Sequence, residues 1–147
     1  MGTEWFFASC LLAEVCASLD AAQTAADLYT ALLPYAECNV TAHPEFCLGS
    51  ASRYLGLLAS TTSRWDDAAG HFELALHMNA RMGARPWVAH TQHDYARMLL
   101  DRDEPGDSAR GTELIGEALA TYRELGMQSW AEKACELEQT LRGAPAP

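Results

Sequence analysis

Trp65-Asp66-Asp67-Ala68-Ala69-Gly70-His71-Phe72-Glu73-Leu74-Ala75-Leu76-His77-Met78-Asn79-Ala80-Arg81-Met82 decides the fold class. Trp65, Ala68, Ala69, Phe72, Ala75 and Leu76 recur at i, i+3, i+4 and i+7, the period of a helix that buries one face. Asp66 and Asp67 suit the positive end of the helix dipole, and Gly83 is a stop signal. The same period extends in both directions. It predicts further helices near residues 4–18, 21–33, 45–61, 86–101, 109–125 and 128–142, with Pro86 at the start of one and Gly126 closing another. Val88, Thr91, Tyr95, Met98 and Leu99 form the expected inner face of the helix that follows Gly83. Residues 103–108 read as a polar turn in which Asp107 or Ser108 serves as N-cap, and Pro34 to Pro44 as the longest loop. No stretch sustains a period of two, so an all-α fold without sheet is expected.

The helices also repeat. Ala31-Leu32, Ala75-Leu76 and Ala118-Leu119 are each preceded at one offset by a bulky residue, Leu28, Phe72 or Ile115. Four positions before each bulky residue stands a small one, Thr24, Ala68 or Gly111, where a helix can approach its partner closely. A recurring hairpin of this kind is the signature of a solenoid, here about three hairpins (4–33, 45–82, 86–125) and a terminal helix (128–142) in a single domain over 1–147. The hairpins' first helices would then line a concave face.

Leu55-Gly56 followed by Trp65, Ala68, Phe72 and Ala75-Leu76 resembles the tetratricopeptide repeat, whose units are shorter and whose closing proline falls here on Ala80. Tyr54-Leu55-Gly56-Leu57-Leu58, Arg64-Trp65-Asp66-Asp67-Ala68-Ala69, the run Met78 to Trp87 and Tyr95-Ala96-Arg97-Met98-Leu99-Leu100 are similar to the C-terminal helical-repeat region of large bacterial signal-transduction ATPases and transcriptional regulators. The resemblance implies a non-catalytic module that binds a protein, a peptide or an effector within a cytoplasmic signalling regulator. It carries over no ATPase residue, because no G-x-x-x-x-G-K-[ST] occurs.

Composition bounds the function. The 147 residues carry a net charge of −10. Residues 1–52 hold six carboxylates and no Lys or Arg, residues 53–100 are close to neutral, and residues 101–147 are acidic again. Two segments of three would repel nucleic acid, so no direct nucleic-acid partner is expected. No apolar run approaches the roughly 18 residues of a membrane span, and the N-terminal residues lack the cationic lead of an export signal, so a cytoplasmic chain without membrane partner is expected. No cofactor motif and no G-x-S-x-G or H-E-x-x-H occurs. Five cysteines without C-x-x-C spacing read as small buried thiols, with a nucleophilic Cys47 or Cys38 near His43 as the alternative.

Candidate binding residues follow from charge and repeat register. His90, Asp94, Arg97 and Asp101 share one helical stripe, readable either as a solvated face of internal ion pairs or as a ligand-facing one. His90, His93 and Asp94 offer too few converging ligands for zinc. Aligning the second and third hairpins puts Arg53-Tyr54 level with Asp94-Tyr95. Arg53, Tyr54, His90, Asp94 and Arg97 are therefore the expected groove residues. The expected partner is a protein or peptide bearing an anionic group, to which arginine can donate two parallel hydrogen bonds. A small hydrolase or metal-assisted enzyme using groove His and Asp, or a cysteine, is the alternative. Finally, Trp5-Phe6-Phe7-Ala8-Ser9-Cys10-Leu11-Leu12 is apolar nearly all round, so a second copy, or a preceding repeat in a longer regulator, is expected to cover the first helix.

Overall fold

A computed structural model describes residues 3–42 and 46–143. Among these residues the chain forms seven α-helices: α1 (Thr3–Ser18), α2 (Ala22–Leu32), α3 (Ala51–Thr61), α4 (Trp65–Arg81), α5 (Arg85–Arg102), α6 (Asp107–Glu124) and α7 (Gln128–Gly143). A short 3-10 turn (Leu33–Tyr35) follows α2, and a two-stranded antiparallel hairpin, β1 (Asn39–Ala42) and β2 (Phe46–Ser50), precedes α3. The protein is predominantly helical. Its chain divides into two compact units, residues 1–83 and 84–147.

The hairpin corrects two expectations, the absence of sheet and a helix beginning near residue 45. The physical reason lies in Gly49 and Ser50. Gly49 adopts a positive φ of 76°, beside the step where Asn39 pairs Ser50 but Thr41 pairs Cys47. One residue of β1, Val40, opposes two of β2, Leu48 and Gly49, there, a bulge for which glycine is suited. Ser50 then caps α3, its Oγ accepting from the Ser52 N–H at 3.2 Å. Val40 is fully buried and fastens the hairpin to unit 1.

In unit 1, α3 is the central element: Ala51 to Gly56, Leu58 and Ala59 are all buried. α1, α2 and α4 each pack on it. α4 contributes Ala68, Phe72, Ala75 and Asn79, spaced as a single buried stripe. The fully buried Asn79 accepts from the Ser50 N–H through Oδ1 at 2.9 Å, tying the end of α4 to the start of α3. Phe72 packs closely against Gly56, where a Cβ would stand 2.7 Å from its ring.

In unit 2, α6 packs against both α5 and α7, and α5 also touches α7. Gly111, Leu114, Ile115, Ala118, Leu119 and Tyr122 form the buried side of α6. A Cβ at Gly111 would meet Leu141 at 3.0 Å, so the small residue sets the approach of α7. Asp107 opens α6. It receives two bonds from Arg102, Nε to Oδ2 at 2.8 Å and Nη2 to Oδ1 at 2.6 Å, and a third from the Glu104 N–H at 3.0 Å. The Arg102 hydrogen bonds are the main reason its carboxyl is held below the usual range.

Six of the positions that the sequence aligns are buried in α4 and α6: Ala68 and Gly111, Phe72 and Ile115, and Ala75 and Ala118. In α2 the register differs. Thr24 and Ala31 are exposed, while Ala25, Leu28, Tyr29 and Leu32 are buried.

Candidate functional site

α5 and α7 border an open cavity of about 340 Å³ lined by His93 and Arg97 from α5 and by Lys133, Glu136, Leu137 and Thr140 from α7. The spacings explain the convergence. His93 and Arg97 are one turn apart, and residues 133, 136, 137 and 140 form one stripe, so each helix offers one side to the cavity. Aromatic packing sets the distance between the two helices. Trp130 on α7 lies edge to face with His90 at 4.4 Å between centroids and with His93 at 5.8 Å, and stacks on Tyr122 at 5.9 Å. The Tyr122 hydroxyl meets His90 Nδ1 at 2.9 Å, and Trp87 closes the cluster 5.2 Å from His90.

Two cations and one carboxylate edge the cavity. Lys133 extends over the Trp130 ring, Nζ 4.5 Å from its centroid, which leaves the ammonium at the surface with an aromatic support. Arg97 is largely exposed and reaches Asp101 through Nε at 3.4 Å. A surface pair of this kind contributes less than about 1 kcal/mol, and a guanidinium carries five N–H donors, so Arg97 can turn to a ligand at little cost. Glu136 makes the rim amphoteric, Thr140 adds a hydroxyl, and Leu137 supplies an apolar wall. Among the described residues, two buried side-chain polar atoms have no hydrogen-bond partner, His93 Nδ1 and Gln92 Oε1. His93 Nδ1 stands 3.7 Å from Asp94 Oδ1, and Gln92 Nε2 donates to Glu117 at 2.5 Å. Unsatisfied buried groups are few in folded proteins, and here both lie in adjoining residues of the helix that borders the cavity.

The expected groove residues divide between the two units. Arg97 lines the cavity. His90 is buried beneath it within the aromatic cluster, and Asp94 sits beside His93 with a side chain only 14% exposed. Arg53 and Tyr54 lie in unit 1, inside the protein. Arg53 is 4% exposed, donates through Nη1 to Glu14 Oε1 at 2.8 Å, and has its guanidinium 5.1 Å from the Tyr54 ring centroid. Tyr54 is fully buried, and its hydroxyl donates to the Leu48 carbonyl at 3.1 Å. Burial raises its pKa. Both sit among the buried residues of α3 rather than on an open face.

Lys133, Glu136 and Thr140 were not singled out by the sequence. One signal marked the place: Lys133 is the single lysine of the chain, three residues after a tryptophan.

Unit 1 holds a second polar cluster. The Tyr29 hydroxyl meets His71 Nε2 at 2.9 Å, and Ser52 Oγ lies 3.5 Å from His71 Nδ1 while donating to the Ala36 carbonyl at 3.0 Å. A serine beside a histidine evokes nucleophilic catalysis, but Ser52 is fully buried and its proton is committed to a backbone oxygen. The cluster binds α2, α3 and α4 together. Burial lowers the His71 pKa, which keeps the ring neutral as a bonding partner.

Cys10 is fully buried and its thiol is pushed up to about 12 by burial first and by Glu14 second, so it is inert as a nucleophile. Cys38 and Cys47 are exposed. His43, the expected base for them, lies outside the described residues. Among the described residues no three His, Cys, Asp or Glu side chains are placed to hold a metal ion, and no helix is long and apolar enough to cross a membrane. No protein-family model, curated protein or solved structure matches the chain.

Proposed function

We propose that the chain is a non-catalytic interaction module, a tetratricopeptide-like solenoid of about three hairpins and a terminal helix, which takes up an anionic group of a peptide or effector between α5 and α7. The observation that carries the reading is the 340 Å³ cavity with Arg97 and Lys133 on facing helices over a supporting tryptophan. A pocket of this size is at the small end of ligand sites, which suits one side chain or a chain terminus rather than a large cofactor. In a protein of net charge −10, two cations converging on one cavity focus an anion locally and give it two charge-assisted partners. The common burial of the small, bulky and alanine positions in α4 and α6 supports the repeat reading. The resemblance to bacterial signalling regulators suggests a sensing role for the module.

Trp130 provides the test, because a ligand drawn to Lys133 alters the surroundings of its ring. A series of synthetic acidic peptides, each with a free and an amidated C-terminus, is titrated while tryptophan fluorescence is followed. Saturable binding is expected, weakened by Arg97→Ala and by Lys133→Ala by about 1.5–3 kcal/mol each, the range for hydrogen bonds to charged groups. Equal affinity of both variants and the parent would overturn the assignment.

A further inference from the structure

α1 carries two apolar faces, and unit 1 uses one. Ser9, Cys10, Ala13 and Cys16, small residues spaced along one side, are buried. On another side, Ala8, Leu11, Leu12, Val15 and Leu19 follow at i, i+3, i+4, i+7 and i+11, and all are exposed: Leu11 by 41%, Leu12 by 44%, Val15 by 48% and Leu19 by 72%. That is the spacing of a helix that meets a partner helix along a seam. Four large aliphatic side chains in one line form a contiguous patch, and such patches on soluble proteins mark contact surfaces.

Charge identifies the occupant. Glu4 and Asp20 stand exposed at the two ends of the stripe, and Asp27 and Glu37 are exposed elsewhere in the same segment. No Lys or Arg occurs in residues 1–52, and the next cation in sequence, Arg53, is buried against Glu14. A second copy docked on this stripe would bring carboxylates to carboxylates with no cation from either α1. A helix with a leucine-like stripe and lysines or arginines beside it would bury the same surface and meet the acids with opposite charge.

We propose that the Ala8–Leu19 stripe, along α1 and the residue that follows it, is a docking surface for a basic amphipathic helix of a partner protein. It is independent of the α5–α7 cavity, and the two surfaces take opposite charges: an anion at α7, a cationic helix at α1.

The probe is a synthetic 18-residue helix with Leu at i, i+3, i+4 and i+7 and Lys on its flanks, labelled for fluorescence anisotropy and titrated with the full chain. Two control peptides share its length: one keeps the lysines but scrambles the leucines, and one keeps the leucines with Glu for Lys. The first peptide is expected to bind at least tenfold more tightly than either control. Leu12→Ser with Val15→Ser, both at exposed positions, is expected to weaken it at least tenfold while circular dichroism stays that of the parent, and Arg97→Ala is expected to leave it unchanged. Equal binding of the scrambled peptide, or no effect of the double variant, overturns the proposal. So does sedimentation showing a dimer of the chain alone that the double variant dissociates, because the occupant is then a second copy.

Discussion

Replacing Gly56 by alanine should destabilise the protein although the position is helical and alanine is the better helix former. A Cβ at Gly56 would lie 2.7, 2.8 and 2.9 Å from three atoms of the Phe72 ring, well inside contact distance. Phe72 is fully buried, and side chains in close-packed interiors yield little. Forcing a methyl group into such a contact costs about 1–3 kcal/mol, and the three simultaneous overlaps favour the upper part of that range. Removing a mid-helix glycine recovers about 1 kcal/mol. The expected balance is a loss of about 1–2 kcal/mol, opposite in sign to the propensity effect alone. Gly70 is the internal control: it lies on α4, the helix that carries Phe72, and a Cβ there meets nothing within 4 Å, so Gly70→Ala should gain about 0.5–1 kcal/mol. Urea unfolding followed by circular dichroism measures both, with an unchanged slope as evidence that the same transition is compared. Gly56→Ala equal to or more stable than the parent would refute the claim that α3 and α4 meet at van der Waals contact through this glycine.

Other expectations follow from buried polar groups. Asp107→Ala removes three hydrogen bonds at the start of α6 and should cost about 1.5–3 kcal/mol, the range for bonds to a charged group. Because the folded Asp107 pKa is lowered, its contribution is complete above the ordinary carboxyl range and is lost as pH falls through the lower folded value; acid unfolding of Asp107→Asn should accordingly lack that part of the pH slope. His71, whose pKa burial lowers, should titrate by NMR below the free imidazole value, with its stability present above that value and lost as pH falls through the folded one. A thiol reagent should modify Cys38 and Cys47 in the native protein at once and reach Cys10 only on unfolding. Prompt reaction at Cys10 would contradict the packing of α1 on α3.

Helix positions were legible because burial on one face leaves a period, and α4 and α7 begin at Trp65 and Gln128 as that period predicts. The β-hairpin was hidden because its burial does not sustain a period of two: β1 buries Val40 alone, and β2 runs from two exposed residues to two buried ones without alternating. Its sign was Gly49-Ser50, a bulge glycine followed by an N-cap serine, placed where apolar spacing alone continued the helix toward residue 45. For the site, sequence located the α5 half through Arg97. It could not tell a groove arginine from a core one, so Arg53, whose partner Glu14 lies 39 residues away, looked equivalent. Repeat register aligned the two positions, but only tertiary packing decides which side is solvent. Lys133 and Thr140 lay on a helix read from its period alone, and nothing local links them to α5.

The most direct test of the central claim is a ¹⁵N–¹H NMR titration of the full chain with the acidic peptide that binds best. The account predicts shifts concentrated at residues 93–97 of α5 and 133–140 of α7, with the Trp130 indole N–H moving in step. Saturable binding whose shifts fall elsewhere while both segments stay still, or no saturable binding by any acidic peptide, would contradict it.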